Sequence, residues 1–243
     1  MKATRSFFWG VESKGMDVMG PDVRYNENVS LLIIAGGSSC RMGSDKLLLP
    51  VPPRGIPLIR HATDRLLSMA ARTVVVANSI GVCEALLDSS QSGGLRGEDP
   101  AVVNTDIHCI PDDSPGDGPL GGLATGLRRI EGWALTVAGD MPFLSAAACQ
   151  YLTDLSDGGC DAIVPVLEGR SQPLHALYHS RCLPAVENVL AMGLRRMDSF
   201  WPYVRVRWIA ASALRSFDPE LRTFTNVNTP AEWEKARSLL SQG

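Results

Sequence analysis

No stretch of the sequence comes near the roughly 18 consecutive apolar residues that a membrane-spanning helix requires. At the start, Lys2 and Arg5 precede only the short run Phe7-Phe8-Trp9-Gly10, where a secretory signal needs an apolar core of about 7–15 residues. Charge of one sign is also scarce. A net charge of −3 and a pI near 5.8 give no field that would draw the chain to nucleic acid or to an anionic bilayer. The six cysteines (Cys40, Cys83, Cys109, Cys149, Cys160 and Cys182) are scattered with no C-x-x-C pair, and read as small, reduced residues of core or loop. These absences lead to the expectation of a cytoplasmic protein with neither nucleic acid nor membrane as partner.

The two commonest phosphate-binding signatures are missing as well. G-x-x-x-x-G-K-[ST] is broken because Ser44 and Asp45 separate Gly43 from Lys46, and no G-x-G-x-x-G follows an apolar run. Kinase-like P-loop and dinucleotide readings therefore lose ground.

What is present suits an ordinary folded domain. With 243 residues, 45% hydrophobic and 20% charged, the chain can bury a sizeable core without staples. Residues 1–28 show no periodicity and carry Gly10, Gly15, Gly20 and Pro21, so they read as a loosely ordered extension, with 29–243 as a single domain. The domain opens on Val29-Ser30-Leu31-Leu32-Ile33-Ile34-Ala35, a short unbroken apolar run ended by glycines, as expected of a buried parallel strand.

Beyond the polar loop to Lys46, the spacing of Leu58, Ile59, Ala62, Leu66 and Met69 predicts a helix over 56–71. Strands are expected at 73–77, 107–110, 133–138 and 162–166, and helices near 82–87, 120–130 and 146–155. The stretch 88–105 is rich in Ser, Gly and charge and reads as a surface loop. Residues 170–178 look like one strand of alternating character. Strands alternating with helices predict an α/β fold of three layers: a mostly parallel, twisted sheet with helices on both faces. Ligands of such sheets sit at the carboxyl ends of the strands. Both Gly-rich loops and Asp140 follow strands, and so would share one edge.

In the first loop Gly36 and Gly37 let the backbone turn sharply and bring N–H groups against a phosphate. Arg41 can grip two phosphate oxygens at once, and Lys46 acts as a mobile point charge. Asp45 has a competing role in setting loop shape, and Cys40 is a loop thiol with no assigned chemistry. Asp140, just past Leu135-Thr136-Val137-Ala138 and ahead of Met141-Pro142, is placed to hold Mg²⁺, which takes hard oxygen ligands. Its bland alternative is an N-cap for the segment after Pro142.

The second loop, 112–122, mixes Gly and Pro before a helix. Gly118 and its neighbours could meet a base or an anion, and Asp112 or Asp113 could read the N1 and N2 edge of guanine. His175 and His179 are four apart, but Pro173 and the β-like pattern count against a helical metal pair. Arg195-Arg196-Met197 offers more cations. Asn226 and Asn228 would share a face if extended, and Thr229-Pro230 opens a terminal helix as N-cap and N1.

Taken in order, IIAGGSSCRMGSDK, GPLGGLATGL, AGDMPF, RSQPLHALY and NVNTPAEW resemble the molybdenum cofactor guanylyltransferase family over most of the chain, from about Leu31 to Trp233. The first and third blocks are shared by the wider Rossmann-like nucleotidyltransferase fold, whereas the Ala-Gly-Gly opening and the Asn-Val-Asn-Thr-Pro ending are more particular to the guanylyl enzymes. The resemblance implies GTP and Mo-molybdopterin as substrates, with GMP passed to the terminal phosphate of molybdopterin and pyrophosphate released. It implies that Ile34, Ala35, Gly36, Gly37 and Lys46 contact GTP, that Asp112 and Gly118 flank the nucleotide, and that Asp140 holds Mg²⁺. Arg41, Lys46 and Asp140 would carry the catalysis.

Where family members carry an Asn directly after the second strand, this chain has Ala77, so Asn78 is expected in that role. Arg195, Asn226 and Asn228 are candidates for the pterin side. Molybdoenzymes and their chaperones are the implied protein partners. Two alternatives stand beside this one: a related enzyme using CTP or a sugar phosphate, and a non-catalytic accessory protein that hands the cofactor on.

Overall fold

A computed structural model describes residues 29–36, 45–70, 72–87, 106–157 and 159–242. The expectations for residues 1–28, for the 88–105 loop, and for Gly37, Cys40 and Arg41 fall outside the described residues.

The first strand, β1 (Val29–Ile34), explains why its sequence has no polar alternation. Leu31 and Ile33 join an apolar cluster with Ile59, Leu135 and Val137, while Leu32 and Ile34 join another with Leu120, Leu123 and Val186. Successive side chains of a strand point to opposite faces, so a strand covered on both must be apolar throughout.

Next come a short hairpin, β2 (Pro50–Val51) and β3 (Ile56–Pro57), then α1 (Leu58–Asp64), β4 (Arg72–Val76), α2 (Ile80–Leu87), β5 (Asp106–Ile110), α3 (Gly118–Leu127), β6 (Trp133–Ala138) and α4 (Ala146–Asp154). They are followed by β7 (Ala162–Leu167), β8 (Arg170–Ser171), β9 (His175–His179), α5 (Leu183–Ala191), β10 (Val206–Ala210) and α6 (Pro230–Leu240). The main sheet runs β10-β7-β9-β6-β1-β4-β5, with β8 on β7. β6, β1, β4 and β5 are parallel neighbours, and β10 is parallel to β7. β9 is inserted antiparallel between β6 and β7, and β8 is antiparallel to β7. Helices α1, α2 and α4 cover one face, and α3 and α5 the other. The expected three-layer α/β architecture is the one that forms.

Three expectations need correction. The helix expected over 56–71 is only α1, because Ile56 and Pro57 pair with β2 and the chain tightens after Asp64. Leu66 N–H donates to Thr63 O and Met69 N–H to Leu66 O, both at 3.0 Å. These three-residue steps still carry Leu66 and Met69 into the core, and over so short a run their spacing resembles an α-helix. The single alternating strand at 170–178 is instead β8, a turn at Pro173, and β9. Residues His175 through Tyr178 are all buried, since β9 has a strand on each side and a layer on each face. The third correction concerns sulfur. Cys83 of α2 and Cys109 of β5 form a disulfide, whereas Cys149, Cys160 and Cys182 are buried free thiols as expected.

Helix α3 lies unusually close to β1. A Cβ on Gly126 would stand 2.4 and 2.5 Å from the two Cδ atoms of Leu32, and one on Gly122 would be 3.0 Å from Ile34 Cγ2. Leu32 is fully buried and has nowhere to go. Gly126→Val is therefore expected to cost about 2–3 kcal/mol through overpacking, read as a lower denaturant midpoint at unchanged slope. Among the described residues no helix is long and apolar enough to cross a membrane.

Candidate active site

The parallel strands continue to bond one residue past their ends. Ala35 N–H donates to Val76 O at 2.9 Å, Ala77 N–H to Ile110 O at 2.9 Å, and Gly139 N–H to Ile34 O at 3.1 Å. The turns after β1, β4, β5 and β6 are thereby held in a row along the carboxyl edge of the sheet. This is where open α/β sheets bind ligands. Ile34, Ala35, Gly36, Asn78, Asp112 and Asp140 all lie on this row, as the sequence led one to expect. Gly139 has a packing reason to be glycine, since a Cβ there would stand 2.5 Å from Ile59 Cδ1.

Asp140 is 8% exposed and fully engaged. Its Oδ2 accepts from Lys46 Nζ at 2.5 Å, and its Oδ1 from Asn226 Nδ2 at 3.1 Å. Its backbone oxygen accepts from Val227 N–H at 3.0 Å. The N-cap alternative for Asp140 does not hold, because α4 is capped by Ser145, whose hydroxyl accepts from Ala148 N–H. Lys46 is carried in by a 3₁₀ turn, Lys46–Leu48, that Asp45 caps by accepting from Leu47 N–H, while Leu47 is buried beneath it. Asp45 thus shapes the loop.

An ammonium has three donors, and those of Lys46 reach Asp140 Oδ2, Val227 O at 3.0 Å and Asn228 Oδ1 at 2.9 Å. Asn226 and Asn228, expected on the pterin side, therefore sit in the immediate circle of Lys46 and Asp140. The Val227 carbonyl has no sequence signature, because every residue has one.

The second loop is held from within. Asp112 Oδ1 accepts from Ser114 N–H and from Thr125 Oγ1, both at 3.0 Å, and Asp112 N–H donates to Asn78 Oδ1 at 2.9 Å. Asp112 shapes the loop by these bonds, and Asn78 ties the turn after β4 to the turn after β5. Gly116 and Gly118 take φ of +104° and +65°, a region that side chains disfavour, and so admit the turn into α3. Arg195 Nε pairs with Asp117 Oδ1 at 2.7 Å, just ahead of that helix. Arg195, Arg196, Pro119, Ser171 and Trp201 line a cavity of about 340 Å³ beside the edge.

The segment carrying Asn226, Val227 and Asn228 is anchored at both ends. Thr229 caps α6 in a reciprocal box with Glu232, as the Thr-Pro pair led one to expect. At the other end Thr223 Oγ1 lies 2.6 Å from Nε2 of the buried His175, while His179 Nδ1, at the far end of β9, accepts from Arg181 N–H. Burial holds the His175 imidazole at about 4, well below its usual value. An unfolded chain takes up that proton below pH 6.5, and the folded chain does not until about pH 4. Stability is thus expected to fall as pH drops through this window, by about 3 kcal/mol from His175, with the slope reduced in His175→Gln. His61 and His179, also lowered by burial, act with the same sign.

Residues 31–204 match the MobA-like NTP transferase domain. The chain is 33% identical over 210 residues to a probable molybdenum cofactor guanylyltransferase of Methanothermobacter thermautotrophicus, covering 84% of this chain and 96% of that protein. It is 31% identical over 216 residues to the molybdenum cofactor guanylyltransferase of Desulfosudis oleivorans, covering 88% and 97%. Its fold is similar to the crystal structure of molybdopterin-guanine dinucleotide biosynthesis protein A from Archaeoglobus fulgidus, with a TM-score of 0.71, 26% identity, and 88% and 100% of the two chains covered.

Proposed function

The chain belongs to the MobA-like NTP transferase family, and on that premise we propose that it transfers GMP from GTP to the terminal phosphate of Mo-molybdopterin, releasing pyrophosphate. The observation that carries this reading is the convergence of Asp140 Oδ2, Val227 O and Asn228 Oδ1 on Lys46 Nζ at the carboxyl edge of β1 and β6. The edge thus keeps a cation and a carboxylate where a triphosphate would lie.

In the reaction a terminal phosphate oxygen of the acceptor forms a bond to the α-phosphorus, while the bond to the bridging oxygen of pyrophosphate breaks in line. Pyrophosphate leaves with that electron pair. No protein nucleophile is required, so catalysis rests on positioning and on charge. Lys46 can turn its ammonium from Asp140 to the phosphate oxygens, and the backbone at Ala35 and Gly36 offers close approach. The loops holding Asn78, Asp112 and Gly118 flank the base. Arg195 and Arg196, in the cavity beside α3, are suited to the anionic end of the acceptor. Gly37 and Arg41 complete the phosphate loop in this reading.

The acceptors around Lys46 Nζ are a carboxylate, a carbonyl and an amide oxygen, all hard oxygens of the kind that suit Mg²⁺. Asp140 would hold the ion, with the Asn228 and Val227 oxygens beside it. Bound there, Mg²⁺ would supply charge neutralisation at the phosphate oxygens.

The test is incubation with Mg²⁺, Mo-molybdopterin and either GTP or CTP, followed by mass analysis. The guanine dinucleotide and pyrophosphate are expected with GTP. A preference for CTP of about tenfold or more, a difference of about 1.4 kcal/mol, would overturn the guanylyl assignment.

A further inference from the structure

β9 brings one titratable side chain into the core that the proposed chemistry does not use. His175 is 1% exposed, packed against Phe224 and within 3.8 Å of Cys149 Sγ of α4. Its Nε2 and the Thr223 hydroxyl, 2.6 Å apart, share one proton. Thr223 is held further by two backbone bonds: its Oγ1 accepts from Ser145 N–H at 3.1 Å, and its own N–H donates to Asp218 Oδ2 at 2.7 Å.

Three residues on, the chain reaches the site. Asn226 bonds the Asp140 carboxylate, Val227 N–H bonds the Asp140 carbonyl, and Val227 O and Asn228 Oδ1 receive Lys46. Residues 223–229 therefore form a strap, fixed at Thr223 and at the α6 cap, whose middle supplies much of the polar ring around Lys46 and Asp140. The strand that holds the strap also holds Asp140. His175 pairs with Val137 in the sheet, and Leu174 O accepts from Ala138 N–H at 3.2 Å, two residues before Asp140. His175 is thus the point at which the two segments that meet at Asp140 are tied together, one through its backbone and one through its ring.

We propose that His175 is a positioning residue: through its bond to Thr223 it sets where Asn226, Val227 and Asn228 meet Lys46 and Asp140. This rests on the guanylyl-transfer reading for its effect on rate, but not for its effect on the strap. A residue that merely fills the core makes a different prediction. The double variant His175→Leu/Thr223→Val removes both partners of the His175–Thr223 bond and leaves only the part-buried Ser145 N–H without its acceptor, so a packing role would let its turnover track its folded fraction. A positioning role separates the two properties.

The experiment compares Thr223→Val, the double variant, and Thr223→Ser, which keeps the hydroxyl, by kinetics and by competitive acetylation of the intact protein. Labelling of Lys46 is measured by mass spectrometry against Lys235, which is exposed on α6 and serves as the internal reference. In Thr223→Val and the double variant, kcat is expected to fall about tenfold, a change of about 1.4 kcal/mol in barrier, with KM for GTP within twofold. The Lys46 to Lys235 labelling ratio is expected to rise at least about threefold, as the strap slackens and frees the ammonium. Thr223→Ser should restore both values.

A double variant with wild-type kcat, or a labelling ratio unchanged in both valine-bearing variants, overturns the proposal. So does a loss of turnover that only tracks the unfolded fraction, measured by thermal melting in parallel. Thr223→Val, which removes a single hydroxyl, keeps the test open where the double variant does not fold. If the wild-type protein transfers no GMP at all, the functional reading fails, and the labelling ratio alone then decides whether His175 sets the strap.

Discussion

Asp140→Ala is expected to lower the rate of GMP transfer by about 10³-fold or more, while the protein keeps its far-ultraviolet spectrum and cooperative melting. Among the described residues, the carboxylate is the one acid hydrogen-bonded to Lys46 Nζ; the other two acceptors are a carbonyl and an amide. Removing it takes away the charge that balances the lysine and the hard oxygen best suited to Mg²⁺.

The fold should survive, for two reasons. The bond from Val227 N–H uses the backbone oxygen of Asp140, which the substitution leaves in place. Lys46, part-exposed at 18%, keeps two neutral acceptors and some access to water. Asp140→Asn separates charge from shape, since an amide oxygen can still accept from Asn226. It is expected to be about as inactive as the alanine variant. Mg²⁺-dependent turnover retained in either one would remove Asp140 from its proposed role.

Reduction of the Cys83–Cys109 disulfide is expected to lower stability by about 3–4 kcal/mol. The bond spans 26 residues of sequence, and closing a loop of that length in the unfolded chain reduces its entropy by an amount of this order. For a protein of this size the corresponding drop in melting temperature is about 10 °C. Cys83→Ser/Cys109→Ser should match the reduced wild type and should no longer respond to dithiothreitol. An equal response to reductant in both proteins would show that the effect arises elsewhere. The same cross-link joins α2 to the strand that leads into the Asp112 turn, so the reduced protein should also show faster amide exchange at Asp112, whose N–H is held by Asn78.

The parts of this molecule that were legible in its sequence are those in which one local pattern has one physical meaning. An apolar run without alternation, β1, has to be covered on both faces. Asp140 after such a run has to lie on the sheet edge. Thr229-Pro230 has to start a helix. What escaped was non-local. No spacing rule pairs Cys83 with Cys109, because the sheet, through β4 and β5, is what brings α2 beside β5. His175 to Tyr178 looked like half of an alternating pattern, and only the insertion of β9 between two strands makes every position internal. Asn226 and Asn228 were recognisable as site residues, but not their bonds to Lys46 and Asp140. Their distance from Lys46 and Asp140 depends on the whole chain between them. The Val227 carbonyl could not be read at all.

The position of β9 has a consequence for how the chain is made. β1, β4, β5 and β6 can assemble in the order in which they leave the ribosome, but β6 then waits with an open, apolar edge. β7 emerges next and cannot close that edge, because its place is one strand further out. Only when residues 175–179 appear does β9 slot in and join the two parts of the sheet. A ribosome stalled between β7 and β9 would hold a nascent chain with an unpaired strand of the kind that templates aggregation. The yield of soluble protein should therefore be sensitive to translation speed over this short interval and to the availability of chaperones while it is crossed.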